Sequence, residues 1–130
     1  MAVTHPTAVR SAVADFVVDQ LDVGGPGKLV FRTAGNANAP GTAAATLPLS
    51  ATAFGAAASG VATAAAITSD TNATGNASAV ATATLDTGAG VVKIHCAVAA
   101  SGSDINLSNG LTIGAGDTVS CSSLSYTAMP

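Results

Sequence analysis

Few side chains in this chain can do chemistry, and their spacing limits what they can do together. There are two histidines, two cysteines and seven aspartates, with no glutamate and a single glutamine, Gln20. Acid–base catalysis needs a carboxylate pair, or a histidine oriented by a carboxylate. Asp22, Asp70, Asp86 and Asp117 instead fall beside Gly, Asn, Thr and Ser at predicted turns. An aspartate in a turn ordinarily accepts hydrogen bonds from nearby backbone N–H groups. His5 lies in the first few residues, and His95 neighbours Cys96 in a predicted strand. Successive strand residues point to opposite faces, so these two cannot act as a thiolate–imidazole couple. His95 is expected on the strand surface. No catalytic residue is assigned, and no small-molecule substrate is expected.

Two stretches have part of the make-up of ligand-binding loops. Gly24-Gly-Pro-Gly-Lys28 carries the Gly-Lys pair of a phosphate-binding loop, but Asp22 and Leu29 stand where that pattern needs Gly and Ser/Thr. The segment also leads into a strand, which leaves no helix N-terminus to hold an anion. Asp70-Thr-Asn-Ala-Thr-Gly75 opens like a calcium loop, yet Ala81 occupies the position of the closing bidentate Glu. An ordinary polar turn is expected there, and neither a metal nor another cofactor is assigned. Cys96 and Cys121 have no CxxC partner or ligand spacing. Both read as small hydrophobes at alternating strand positions, with a disulfide between adjacent strands as the alternative.

The elements that carry these residues follow from periodicity. Between residues 7 and 21, Val9, Val13, Phe16, Val17 and Leu21 recur at steps of three and four, with Arg10, Asp15 and Asp19 mostly elsewhere. That is the packing stripe of an amphipathic helix. Pro6 fits its first turn, Thr4 or His5 flanks it as a cap, and Gly24-Gly25 form the stop. Beyond Gly27 the period becomes two. Strands are predicted over residues 28–33, 45–49 (at an edge, because of Pro48), 61–68, 79–85 and 91–99, with a hairpin turn at 86–90. Residues 111–113 and 117–127 complete the set, after a loop at 101–104. Short strands punctuated by Gly and Asn describe a single mainly β domain over residues 1–130, an antiparallel β-sandwich or jelly roll with one N-terminal α-helix. Residues 1–24 form an arm and helix, and residues 27–130 the β-sandwich. The 30 alanines imply layers or subunits that approach closely.

Composition narrows the function class. Only 8% of the 130 residues are charged, and the net charge is −3. A freely diffusing domain usually covers roughly a quarter to a third of its surface with charges. A surface of Thr, Ser, Asn, Gly and Ala costs little to desolvate when a partner covers it. Arg10, Lys28, Arg32 and Lys93 are too few and too scattered to hold nucleic acid. The uncharged stretch 33–69 is broken by Asn36, Asn38, Pro40 and Pro48, so no membrane span is expected. The N-terminal segment has no early basic cluster, and a protein made in the cytoplasm is expected.

The opening Met-Ala-Val-Thr-His-Pro-Thr-Ala-Val-Arg10, then Val18-Val-Asp-Gln-Leu-Asp-Val-Gly-Gly25 and Gly27-Lys-Leu-Val-Phe-Arg-Thr33, resemble small virion proteins of tailed bacteriophages. So do Asp104-Ile-Asn-Leu-Ser108, Leu111-Thr-Ile-Gly-Ala-Gly-Asp-Thr-Val-Ser120 and Ser123-Leu-Ser-Tyr126. The resemblance implies a head decoration (cement) protein, a non-enzymatic β-rich fold on the outside of an HK97-like capsid. Its partners would be the major capsid protein and further copies of itself, as a dimer or trimer. An arm over residues 2–10, with Val3, Thr4, His5 and Arg10, and an uncharged contact around Phe54 are the expected interfaces, with core packing as the alternative for Phe54. A tail or fibre component remains open as the alternative function, as does a non-viral binding module of the ice-binding or adhesin kind.

Overall fold

A computed structural model describes residues 3–129. Helix α1 (Thr7–Asp19) starts at Pro6, whose fixed φ of −57° leads into the first turn. Neither Thr4 nor His5 caps it, and no side-chain cap is found there among the described residues. A 3-10 turn, Gln20–Asp22, prolongs the helix before Gly24 (φ +79°) and Gly25 (φ +110°) stop it as the sequence predicts.

Seven strands follow among the described residues. They are β1 (Lys28–Arg32), β2 (Ala43–Pro48), β3 (Val61–Thr63), β4 (Thr82–Asp86), β5 (Val92–Ala99), β6 (Ile105–Asn106) and β7 (Ser125–Thr127). Five form a sheet of order β2-β1-β4-β5-β6, and β3 pairs with β7 in a second, two-stranded sheet. Pro48 ends the edge strand β2, as its missing N–H requires. The turn between β4 and β5 closes through Thr87 N–H to Val91 O and Gly90 N–H to Thr87 O, both at 2.9 Å.

The molecule is mainly β with one helix, its larger sheet curled into a half-barrel. That sheet is mixed, because the short β6 runs parallel to β5, whereas purely antiparallel sheets were expected. Several predicted strands are shorter or irregular. Past Thr63 the backbone changes partner every few residues: Ala64 N–H binds Leu124 O, Ala65 binds Ala53 O and Thr68 binds Pro48 O. These amides are paired without forming a ladder. The segments 70–80 and 111–119 lace together in the same irregular way, through Val80 to Leu111, Asn76 to Ile113 and Val119 to Asp70.

One hydrophobic core joins these parts. Leu29 and Phe31 of β1, Ala45 and Leu47 of β2, and Ala83 and Leu85 of β4 meet Ala14, Val18 and Leu21 from the N-terminal segment. Buried alanines at 44, 53, 62, 73 and 128 fill the remainder. Helix α1 packs on β3 and β7, at the small sheet.

Candidate functional site

Six of the seven aspartates, with Arg10 and Arg32, are spent on holding this fold. Asp22 accepts the Ala53 amide at 2.8 Å, Asp117 accepts Gly114 at 2.8 Å, and Asp104 accepts Ala97 at 2.9 Å. Asp70 accepts Thr46 through one oxygen and Asn72 through the other. The local turn role predicted for Asp70 and Asp117 is what the structure has, whereas Asp22 ends the 3-10 turn and serves an amide 31 residues away. Asp86 differs. It is the last residue of β4, only 3% exposed, and its Oδ2 lies 3.0 Å from Arg32 Nη2. Arg32 also donates to Thr84 Oγ1 and to Gly41 O, both at 2.9 Å. Sequence reasoning missed this pair because Arg32 reaches back along β1 to a strand neighbour 54 residues away.

His95 lies opposite Thr84, which is fully buried, on the sheet face that carries this pair. It is half-buried, with Nε2 shielded and unpartnered among the described residues, so the open surface position expected for it is corrected. Cys96 faces the core opposite Ala83, and Cys121 donates its thiol to Ser123 O at 3.3 Å. Both are free thiols. Burial, and next the Asp104 carboxylate, push Cys96 up to about 11 from an ordinary 9.0. Burial also raises Cys121, against the opposing effect of its bond to Ser123. A raised thiol is a poor nucleophile at neutral pH. An open groove of about 980 Å³ runs between residues 104–110 and 117–125 with Phe31 at its base. The Asp104 and Asp117 carboxylates that line it are the ones already bound to backbone amides.

The helix departs most from expectation. Its inner face is Ala14 and Val18, flanked by Arg10, Ser11 and Asp15. Ser11 Oγ accepts the Gly60 amide at 3.0 Å, Asp15 Oδ1 accepts Ala57 at 2.6 Å, and Arg10 Nη2 donates to Ala128 O at 3.4 Å. Gly60 (φ +79°) is needed at this contact, because a Cβ there would meet the Arg10 side chain at 3.0 Å. The stripe predicted to face the core therefore divides: Val9 and Val13 are 43% exposed and Phe16 is 69% exposed, while Val17 is half-buried and Leu21 lies in the core as expected. Among the described residues, no helix is long and apolar enough to cross a membrane. The chain matches no family model, no curated protein and no solved structure.

The expected interface residues divide. Val3, Thr4 and His5 are exposed and run directly into the outward stripe, while residue 2 lies outside the described residues. Arg10 is on the inner face, tied to Ala128, which removes it from an outer contact. Phe54 is 3% exposed, bridged to Ala64 and packed in the core, so its ring forms no surface contact in this fold. The outer face of α1 is thus the candidate site. Covering Phe16 alone would take on the order of 100 Å² of apolar surface from water, worth roughly 2–3 kcal/mol.

Proposed function

We propose that this protein is a non-catalytic docking module that coats a protein lattice, on the pattern of the phage head decoration proteins it resembles. The observation that carries this reading is the inverted helix. Polar residues fasten α1 to its own domain, and its larger apolar residues are left for a partner. An apolar patch of this kind marks an interaction site in a soluble protein. The low charge content supports the same reading, since few ions must lose hydration when the surface is covered.

On this reading the major capsid protein is the lattice, the outer capsid surface is the location, and the two sheets sharing one core act as a compact sandwich-like body. Contacts at each site need not be strong. A subunit that bridges neighbouring capsomers meets its second partner at high effective concentration. Selective binding to the expanded shell stabilises that shell by mass action. The test mixes the purified chain with decoration-free heads of the encoding phage, and measures occupancy and disruption temperature. Saturable binding with a raised disruption temperature is expected. Absence of binding overturns the capsid reading, and labelling on the tail would then assign the protein there.

A further inference from the structure

We propose that the outer face of α1 is a twofold interface between two copies of this chain, with their helices packed antiparallel. This names the occupant of the face described above and rests on its docking role. The first observation is spacing. Val9, Val13, Phe16, Gln20 and Val23 follow one another at steps of four, three, four and three. Val9, Val13, Phe16 and Val23 are the exposed large apolar residues of this segment, and Gln20 Nε2 is occupied by its own helix, donating to Phe16 O at 3.3 Å. On the helix itself Val9, Val13 and Phe16 form one narrow exposed row of the kind that seams a helix pair, which Gln20 extends into the 3-10 turn, while Val23 follows as extended backbone past the helix end. The exposed flanking residues Ala8 and Ala12 are small and uncharged, which lets two backbones approach.

The second observation is charge, and it selects both the occupant and the direction. The first turn of α1 has neither a side-chain cap nor an acidic residue, so its N–H groups present partial positive charge outward. The last turn has no basic residue and carries the exposed Asp19, a carboxylate at the end where the helix's own carbonyls disfavour it. Each end of the helix holds what the other lacks. An antiparallel seam sets Val13 against Phe16 of the second copy, with the axis between them. Asp19 then stands about 7 Å from the axis, level with the first turn of the second helix, which begins about 11 Å out. Symmetry repeats the contact on the other side. A parallel pair would set carboxylate beside carboxylate.

The test is sedimentation equilibrium of the full chain, from low micromolar to millimolar concentration, for wild type, Val13→Asp and Asp19→Lys. Wild type is expected to show a monomer–dimer equilibrium, and Val13→Asp to weaken it at least about tenfold. Asp19→Lys separates this interface from a general surface effect. It places a cation at the C-terminal end of its own helix, so the thermal midpoint of the monomer holds or rises. In the dimer the same lysine meets the first turn of the second copy, and association weakens about threefold or more. That weakening runs against the drop in net charge, which by itself would favour association. Association unchanged in Asp19→Lys overturns the antiparallel pair. A wild type that stays monomeric throughout overturns the self-interface. In that case, loss of head binding in Val13→Asp would leave the docking role standing with another occupant, and unchanged head binding would remove both.

Discussion

Asp15 Oδ1 accepts the Ala57 amide at 2.6 Å, joining the helix to a loop 42 residues away in sequence. With Ser11 on the Gly60 amide, it fixes the rotation of α1 about its axis. Hydrogen-bond demand from the 57–60 turn therefore decides which helix face is turned inward, and the larger apolar residues are left on the other side.

Asp15→Ala is expected to destabilise the fold by about 1–2 kcal/mol, because it leaves a partly buried amide without an acceptor. Asp15→Asn retains an oxygen at that position and costs less. Denaturant unfolding measures both. Hydrogen exchange at the Ala57 amide is expected to accelerate in the alanine variant alone.

Removing one partner of the Arg32–Asp86 pair leaves the other as a shielded, uncompensated charge. Arg32→Met or Asp86→Leu alone is expected to cost about 3 kcal/mol, and the double variant less than the two together. A double-mutant cycle in urea measures the coupling. Additive losses would show that packing, not the ion pair, sets the cost.

Cys96 gives a pH dependence whose direction follows from its surroundings. Burial and Asp104 hold its thiol protonated up to about 11, while in the unfolded chain it ionises near 9.0. Between these values the folded state binds more protons, so stability falls as pH rises from 9 to 11 and is unaffected by this group below 9. Cys96→Ala is expected to flatten the part of the slope that Cys96 contributes, with Cys121 adding to it in the same direction. Alkylation of Cys96 at pH 8 should be slow in the native protein and fast in denaturant.

Much of the scaffold was legible in the sequence because it depends on neighbours along the chain. The first strand, the Pro48 edge, the hairpin at 86–90 and the glycine stop after the helix all follow from local pattern. The face of α1 was not legible. Two apolar sets with helical spacing share Leu21, one running through Val9, Val13, Phe16 and Val17 and the other through Ala14 and Val18, and the second is the buried one. The choice between them is made by Ser11 and Asp15, whose acceptors serve amides 49 and 42 residues away. The Ala/Thr/Gly segments form shorter strands than their composition predicts for a related reason. Their composition permits extended backbone, but their hydrogen-bond partners change too often to make a ladder.

Asp70 closes the outer edge of β2. Its Oδ2 accepts the Thr46 amide at 2.9 Å and its Oδ1 accepts Asn72 at 3.0 Å, while Gly75 N–H binds Ala44 O at 2.8 Å on the same edge. An open edge strand is a template for pairing with another chain. Asp70→Ala is expected to cost about 2 kcal/mol, to expose Thr46 to fast hydrogen exchange, and to increase aggregation on warming. Asp70→Asn should retain at least one of the two bonds and fall between the alanine variant and wild type. Because both carboxylate oxygens are engaged by N–H donors, added calcium should leave the thermal midpoint of the native protein unchanged. A midpoint that rises with calcium in wild type and not in Asp70→Asn would show instead that the loop at residues 70–75 releases those amides to take up a cation.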